Sequence, residues 1–269
     1  MISMGPFSIR VVIVVVAAMA AWLITRLVAR QLPDSGAKTA SGVILDALFI
    51  GLITARIAFV LVWWKDYLAN PLAMLAVGDG GFYVTAGVLA SISWVWWKTR
   101  SKQLLRKPVY AGILAGLLAW GAANGTLAFL QRSAPSLPVL QLSTIDSQPI
   151  ALTRFAGQPV VVNLWATWCP PCRREMPVFV KAQAEYPNIA FVLINQGETA
   201  QVIKNYLDAQ GLKLQHILLD PASLVMQEIG SRGLPTTLFF DAKGRMVHSH
   251  MGELTMPGLK STLNSHFGQ

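Results

Sequence analysis

Cysteine is nearly absent from this chain: there are two in 269 residues, Cys169 and Cys172. So few thiols exclude a disulfide-stapled scaffold, and they fall short of a structural zinc site, which takes four Cys or His ligands. Histidine is scarce as well. His216, His248, His250 and His266 all follow residue 132, so residues 1–132 hold no imidazole. Charged residues make up 13% of the chain against 54% hydrophobic, which excludes an ordinary soluble composition throughout. Acidic residues are the scarcer sign: residues 1–132 carry four against twelve Lys and Arg, whereas residues 133–269 carry nine against ten. The positive excess lies in short loops between apolar runs, with no basic stripe in the second half, so nucleic acid is not expected as a partner.

What is present in the first half is apolar length. Four runs stand out, Val11 to Ile24, Val43 to Trp64, Phe82 to Trp97 and Val109 to Leu130. A membrane span needs about 20 apolar residues, which the first and third runs reach only if Leu27–Val28 and Gly80–Gly81 join them. The first run resembles a signal peptide, but no convincing small-residue cleavage site precedes Asp34, so it is read as a retained helix. Four spans are expected. Arg26, Arg30, Lys38, Lys98, Arg100, Lys102, Arg106 and Lys107 fall in the first and third loops, against Arg10, Lys65 and Arg132 on the other side. That bias puts the first and third loops in the cytoplasm and both termini outside. Trp63–Trp64 and Trp94, Trp96 and Trp97 sit at run ends, where interfacial anchors belong. Within the second run, Asp46 is expected near the interface and Arg56 to snorkel or find a partner, the alternative being a functional intramembrane charge.

The residues Ala55-Arg56, Tyr67, Asn70-Pro71, Gly80-Gly81 and Asn124-Gly125 resemble a truncated prolipoprotein diacylglyceryl transferase membrane domain. The departures fall on the chemistry. Thr85-Ala86-Gly87 stands where that family has His-Gly-Gly, and Leu117-Leu118-Ala119-Trp120-Gly121 where it has Gly-Arg-x-Gly-Asn. Asn124-Gly125-Thr126 replaces Asn-Gly-Glu. With His, Arg and Glu missing, transferase activity is not expected, and a lipid-binding or partner-docking surface is what the resemblance leaves.

Gln131 to Pro138 is a polar, proline-bearing break, so the domains are placed at 1–132 and 133–269. Roughly 130 residues suffice for one core without disulfide staples. The second domain alternates in type. Pro159 to Trp165, Ile189 to Asn195, Ile217 to Asp220 and Thr236 to Phe240 read as strands, and Arg245 to Met251 as the return strand after an Asp241–Gly244 turn. Cys172 to Tyr186, Thr199 to Gln210, Ala222 to Ile229 and Met256 to Phe267 read as helices, with Gly211 and Gly230 as stops. The fold class is an α-helical membrane domain plus an α/β domain with a central sheet and flanking helices.

Trp168-Cys169-Pro170-Pro171-Cys172 follows the first strand of that domain, a position where a Cys-x-x-Cys pair points to redox chemistry. Disulfide exchange needs an attacking thiolate and a second thiol that resolves the mixed disulfide. Cys169 precedes the helix, where unpaired N–H groups and the macrodipole favour negative charge, so it is the expected attacker. Cys172, one turn later on the same face, is the expected resolver. Pro170 and Pro171 suit a first turn, where a missing N–H costs little.

The strand and helix order, with this motif and Gly233-Leu234-Pro235-Thr236-Thr237, resembles the thioredoxin fold and, more narrowly, the TlpA-type disulfide reductases, a branch that includes cytochrome c maturation reductases. The resemblance covers about residues 136–269. It implies that Pro235 is cis, that the backbone of Leu234 pairs with substrate, and that Trp168 forms part of the partner-facing rim. Where thioredoxin has a buried Asp this chain has Asn163, which does not titrate. Glu175 matches an acidic position in the TlpA-type reductases and is the candidate proton acceptor, the alternative being a first-turn Glu that stabilises the helix dipole.

The expected protein is a periplasm-facing thiol–disulfide oxidoreductase of a bacterial inner membrane, acting as a reductase with its dithiol as the only redox group and no metal. Its partners are disulfide-bearing periplasmic proteins, membrane lipid and a separate cysteine-bearing membrane electron donor, since residues 1–132 have no thiol to relay electrons. The alternatives are a disulfide oxidase, a lipid-handling or acyl-transfer-like membrane protein with an accessory thioredoxin domain, and a non-redox scaffold.

Overall fold

The computed structural model describes residues 3–4, 7–32, 36–68, 71–130 and 136–268. Asp34, Asn70 and most of the Gln131–Pro138 break, with the boundary placed at 132/133, lie outside the described residues. The chain forms two compact units, Asp66–Gly80 with Ser133–Gln269, and Ile2–Lys65 with Gly81–Arg132.

The second of these is helical. A ribbon of β1 (Ser3–Met4) and β2 (Phe7–Ser8) precedes α1 (Ile9–Val28) and α2 (Gly36–Val62); the short α3 (Trp64–Leu68) begins in this unit and ends in the other, and α4 (Val84–Arg100) and α5 (Gln103–Leu130) follow. The four long helices lie on the four apolar runs; α1 takes in Leu27–Val28, but α4 begins at Val84, so Gly80–Gly81 do not lengthen the third run's helix as expected. By length and composition, Gly36–Val62 is the helix among the described residues that is able to cross a membrane, with Val12–Val28 a shorter apolar helix.

Small residues let the helices approach. A Cβ on Gly87 of α4 would stand 2.6 Å from the Gly51 carbonyl oxygen of α2, and one on Gly116 of α5 would meet the Ala21 Cβ of α1 at 3.0 Å. Ser91 Oγ donates to the Ala47 carbonyl across the α2–α4 seam at 2.8 Å. Phe49, Leu61, Leu89, Ile92 and Leu118 are exposed on the outer faces, an arrangement suited to lipid rather than water. Arg56 donates to the Gly81 carbonyl at 2.8 Å and lies over the Phe59 and Phe82 rings, so of the expected alternatives it takes a partner. The Lys98 ammonium lies over the Trp94 and Trp97 rings.

The other unit is built on a seven-stranded sheet of order β4-β3-β7-β6-β5-β8-β9. Its strands are β3 (Gln141–Thr144), β4 (Pro149–Ala151), β5 (Val160–Trp165), β6 (Ala190–Gln196), β7 (Ile217–Asp220), β8 (Thr236–Phe240) and β9 (Met246–Met251). The neighbours β5–β6 and β6–β7 are parallel, and the other pairs are antiparallel. Its helices are α6 (Pro170–Glu185), α7 (Ala200–Gln210), α8 (Leu224–Ile229) and α9 (Met256–Phe267).

Every residue of β5, β6, β7 and β8 is buried, as the unalternating Val, Ile, Leu and Phe runs require of strands covered on both faces. Val161 and Trp165 of β5 face α6, α7 and α9, while Val160, Val162 and Leu164 face α8 and the Leu152–Phe155 turn. In this sheet the edge strand β4 and its neighbour β3 have no counterpart in the sequence reading. They are short and half-exposed, and lack the apolar run that marks β5 and β6. Two helices differ by two residues at their starts, and α7 by one, Thr199 being its N-cap. α6 begins at Pro170 rather than Cys172, because Cys169 serves as its N-cap. α8 begins at Leu224 rather than Ala222, because the Asp220 carboxylate takes the Leu224 and Val225 N–H groups at 2.9 and 2.8 Å.

Candidate functional site

The dithiol sits where the central strand hands over to a helix. β5 ends at Trp165, and a three-residue loop, Ala166 to Trp168, leads to Cys169, whose extended backbone starts α6. Cys169 and Cys172 are joined by a disulfide with Cα atoms 5.3 Å apart, the oxidised state of the pair. The Cys172 N–H donates to Cys169 Sγ at 3.3 Å. This is a first-turn donor directed at a sulfur, which in the reduced state favours the thiolate. Pro170 and Pro171 occupy the first helical positions, where neither needs an intrahelical N–H partner. Both sulfurs belong to the apolar cluster of Trp165, Met176, Phe179 and Leu259.

One turn beyond Cys172, Glu175 is fully buried. The i, i+3 spacing puts the two on one helix face. Asn163 Nδ2 donates to Glu175 Oε1 at 2.8 Å and to Thr237 Oγ1 at 3.1 Å, and the Leu254 N–H donates to Glu175 Oε2 at 3.1 Å. Burial pushes the Glu175 carboxyl up to about 8 from an ordinary value near 4.5. The two hydrogen bonds oppose that rise, and the nearby Glu253 charge adds to it. A plain dipole-compensating Glu stays at the surface and ionised; this one is desolvated. Asn163 Oδ1 is buried with no partner among the described residues.

The Leu234–Pro235 peptide bond is cis. Pro235 is buried, and Leu234 packs on the cluster that contains both cysteines. The loop is stitched internally, with Ser231 Oγ and Thr236 Oγ1 2.8 Å apart and Thr236 Oγ1 donating to the Gly233 carbonyl at 2.7 Å. The Pro235 carbonyl accepts from the Gly252 N–H at 2.9 Å. Trp168, adjacent to Cys169, is 68% exposed, unusual for a tryptophan and suited to a surface that a partner covers.

Sequence reasoning passed over Glu198. Its carboxylate accepts the Thr167 N–H and the Asn195 Nδ2 at 2.7 Å each, and also the Thr167 hydroxyl. It therefore pins the loop that carries Trp168 and Cys169. The signal lay in topology: β5 and β6 are parallel neighbours, so the loops leaving their C-terminal ends must meet.

The histidines are dispersed. His216 rests against Phe155, His248 stacks on His266, and His250 Nε2 lies 3.4 Å from the Glu253 carbonyl. Among the described residues no three of His, Cys, Asp and Glu gather as a metal site. In the helical unit, Asn124 Nδ2 and Thr126 Oγ1 donate to the Trp120 and Ala122 carbonyls of their own helix, so the Asn-Gly-Thr stretch presents no acid.

Residues 132–264 match the Redoxin family and residues 1–131 match the prolipoprotein diacylglyceryl transferase family. Thiol-disulfide oxidoreductase ResA of Geobacillus thermodenitrificans is 30% identical over 130 residues, which are 48% of this chain and 74% of that protein. The ResA of Halalkalibacterium halodurans is 33% identical over 116 residues, 42% of this chain and 65% of that protein. Among solved structures, StoA from Bacillus subtilis is 27% identical and has a TM-score of 0.42, covering 47% of this chain and 98% of its own.

Proposed function

Because the chain belongs to the redoxin family through residues 132–264, fused to a prolipoprotein diacylglyceryl transferase-like membrane domain over residues 1–131, we propose that it works as a membrane-anchored reductase of protein disulfides outside the cytoplasm. The C-terminal domain is a thioredoxin-like thiol–disulfide oxidoreductase domain with a Cys-x-x-Cys disulfide. The observation that carries the mechanism is the buried Glu175 one turn from Cys172, and the direction is for the reduction potential to decide.

In the reduced enzyme the Cys169 thiolate attacks a substrate disulfide, forming one S–S bond and expelling one substrate thiolate. Cys172 then loses its proton to the Glu175 carboxylate and attacks Cys169 Sγ. The second substrate thiolate leaves, and the Cys169–Cys172 disulfide remains. Two electrons pass from the dithiol to the substrate, and two from a donor dithiol restore the enzyme. Burial raises the Glu175 carboxyl toward the range in which thiols titrate, which suits it to take the Cys172 proton better than an exposed carboxylate would.

Asn163 suits both states of that carboxyl. Its Nδ2 donates to Glu175 Oε1, which suits the ionised form. Turned over, its Oδ1 accepts the proton of the neutral form and that of Thr237, a switch that an Asp at this position does not offer. The exposed Trp168 and the Leu234–Pro235 loop form the seat for the substrate chain, with the Leu234 backbone as its pairing edge. The donor is a separate membrane dithiol protein, since Cys169 and Cys172 are the chain's two thiols.

The test uses the full chain in detergent. Cys169→Ser abolishes insulin reduction driven by an external dithiol, and Glu175→Gln slows the step that resolves the mixed disulfide by about 10²-fold or more. A reductase requires a low reduction potential for the Cys169–Cys172 pair, and a value in the range of strong oxidants makes the protein an oxidase.

A further inference from the structure

The connection between β9 and α9 is tied at each residue to a different part of its unit. The Gly252 N–H holds the Pro235 carbonyl. The Glu253 carboxylate pairs with Arg174 at 2.6 Å. The Leu254 N–H donates to Glu175. Thr255 caps α9, accepting the Gly258 N–H at 3.2 Å, and its hydroxyl donates to Asp79 Oδ2 at 2.9 Å.

Asp79 lies far off in sequence, in the Asp66–Gly80 segment between the second and third apolar runs, yet it belongs to this unit. It is 3% exposed, and the equally buried Tyr67 hydroxyl donates to the same Oδ2 at 3.0 Å. The fit extends to the backbone. Gly258 of α9 faces the Asp79 carbonyl so closely that a Cβ there would stand 2.8 Å away. Lys260 of α9 binds Asp66 at 2.8 Å and Glu185 at 3.0 Å. A carboxylate withdrawn from water this far is kept where its hydrogen bonds have fixed positions.

We propose that Asp79 is a positioning residue for Glu175: by holding the Thr255 hydroxyl, it keeps the preceding residue's N–H on the Glu175 carboxylate. The inference rests on the reading of Glu175 as proton acceptor. Around Glu175 stand Asn163 from β5, which also holds Thr237 of β8, the Leu254 N–H, the Arg174–Glu253 pair and Cys172 of its own helix. Around Asp79 stand Tyr67, Thr255 and His250, which feels its charge. The Leu254 N–H favours the ionised carboxyl, so a loosened connection pushes the Glu175 titration upward.

The experiment follows the carboxyl itself. In the full oxidised chain in detergent micelles, with 13C-labelled glutamate and Glu175→Gln to assign the signal, Asp79→Ala and Thr255→Val each raise the Glu175 midpoint by about one pH unit. Combining them raises it no further, and Asp79→Asn, which keeps an acceptor for Thr255, stays at the wild-type midpoint. A wild-type midpoint in Asp79→Ala or Thr255→Val, even with a lowered Tm, makes Asp79 a plain structural anchor and overturns the proposal. Additive shifts, or a shift in Asp79→Asn equal to that in Asp79→Ala, overturn it as well. If Asp79→Ala does not fold, Asp79→Ser, whose shorter side chain withdraws the acceptor from Thr255, takes its place, because Thr255→Val also removes the α9 cap. The titration is independent of exchange activity. A chain that shows these shifts but reduces no disulfide overturns the reductase reading and leaves this one standing.

Discussion

Burial of the Glu175 carboxyl acts on stability as well as on chemistry. Its pKa in the folded protein is about 8 against an ordinary value near 4.5. Below pH 4.5 folded and unfolded chains are both protonated, and burial brings no ionisation penalty. As pH rises toward 8 the unfolded chain gives up its proton while the folded one retains it. Folding therefore loses about 1.4 kcal/mol per pH unit across that window, and the loss levels off above pH 8. Glu175→Gln removes this term. Thermal unfolding of the oxidised full chain from pH 5 to pH 8 should show wild type falling relative to the Gln variant. A parallel pair of curves would show that Glu175 titrates as an ordinary surface acid. The residue was legible as a candidate from the resemblance of its position to an acidic one in the TlpA-type reductases, but its burial was not. Nothing in the local sequence announces that Asn163, twelve residues earlier, and Leu254, 79 residues later, close over it.

Among the elements, α6 and the loop before it are set by local rules. Cys169 caps, two prolines start the helix, and a buried strand delivers the chain to that point. What holds the loop is not local. Glu198, from the loop after β6, takes hydrogen bonds from the Thr167 backbone and hydroxyl and from Asn195. Glu198→Ala should destabilise the chain by about 2 kcal/mol, the value of losing hydrogen bonds to a charged acceptor with a buried amide left short of a partner. It should also free Trp168, seen as faster quenching of Trp168 fluorescence. Unchanged stability and quenching would remove Glu198 from the support of the site. The strands of the sheet that sequence pattern missed, β3 and β4, are a short pair on one side of it, and pairing rather than composition makes them strands.

For the whole molecule, the uneven charge of the first half predicts its orientation. An alkaline phosphatase fusion at the C-terminus should be active and one in the Lys98–Lys107 loop inactive; the opposite pattern would place the dithiol in the cytoplasm and end the proposal of an extracytoplasmic reductase. The sequence by itself determined the two-part composition, the dithiol at a strand-to-helix junction, the alternation of strands and helices around it, and the absence of any thiol beyond that pair. All of these depend on neighbours within a few residues or on counts. Only the tertiary structure decided which distant groups surround the dithiol. Packing between elements removed water from Glu175, set Glu198 under Thr167, and brought Asp79 from between two apolar runs to the cap of α9. The physical reason is range. Periodicity and capping act over a turn or a strand, whereas desolvation and long-range hydrogen bonds exist only once residues far apart in the chain share a core. The Trp-Cys-Pro-Pro-Cys run names the chemistry, and the residues that close around it set its protons.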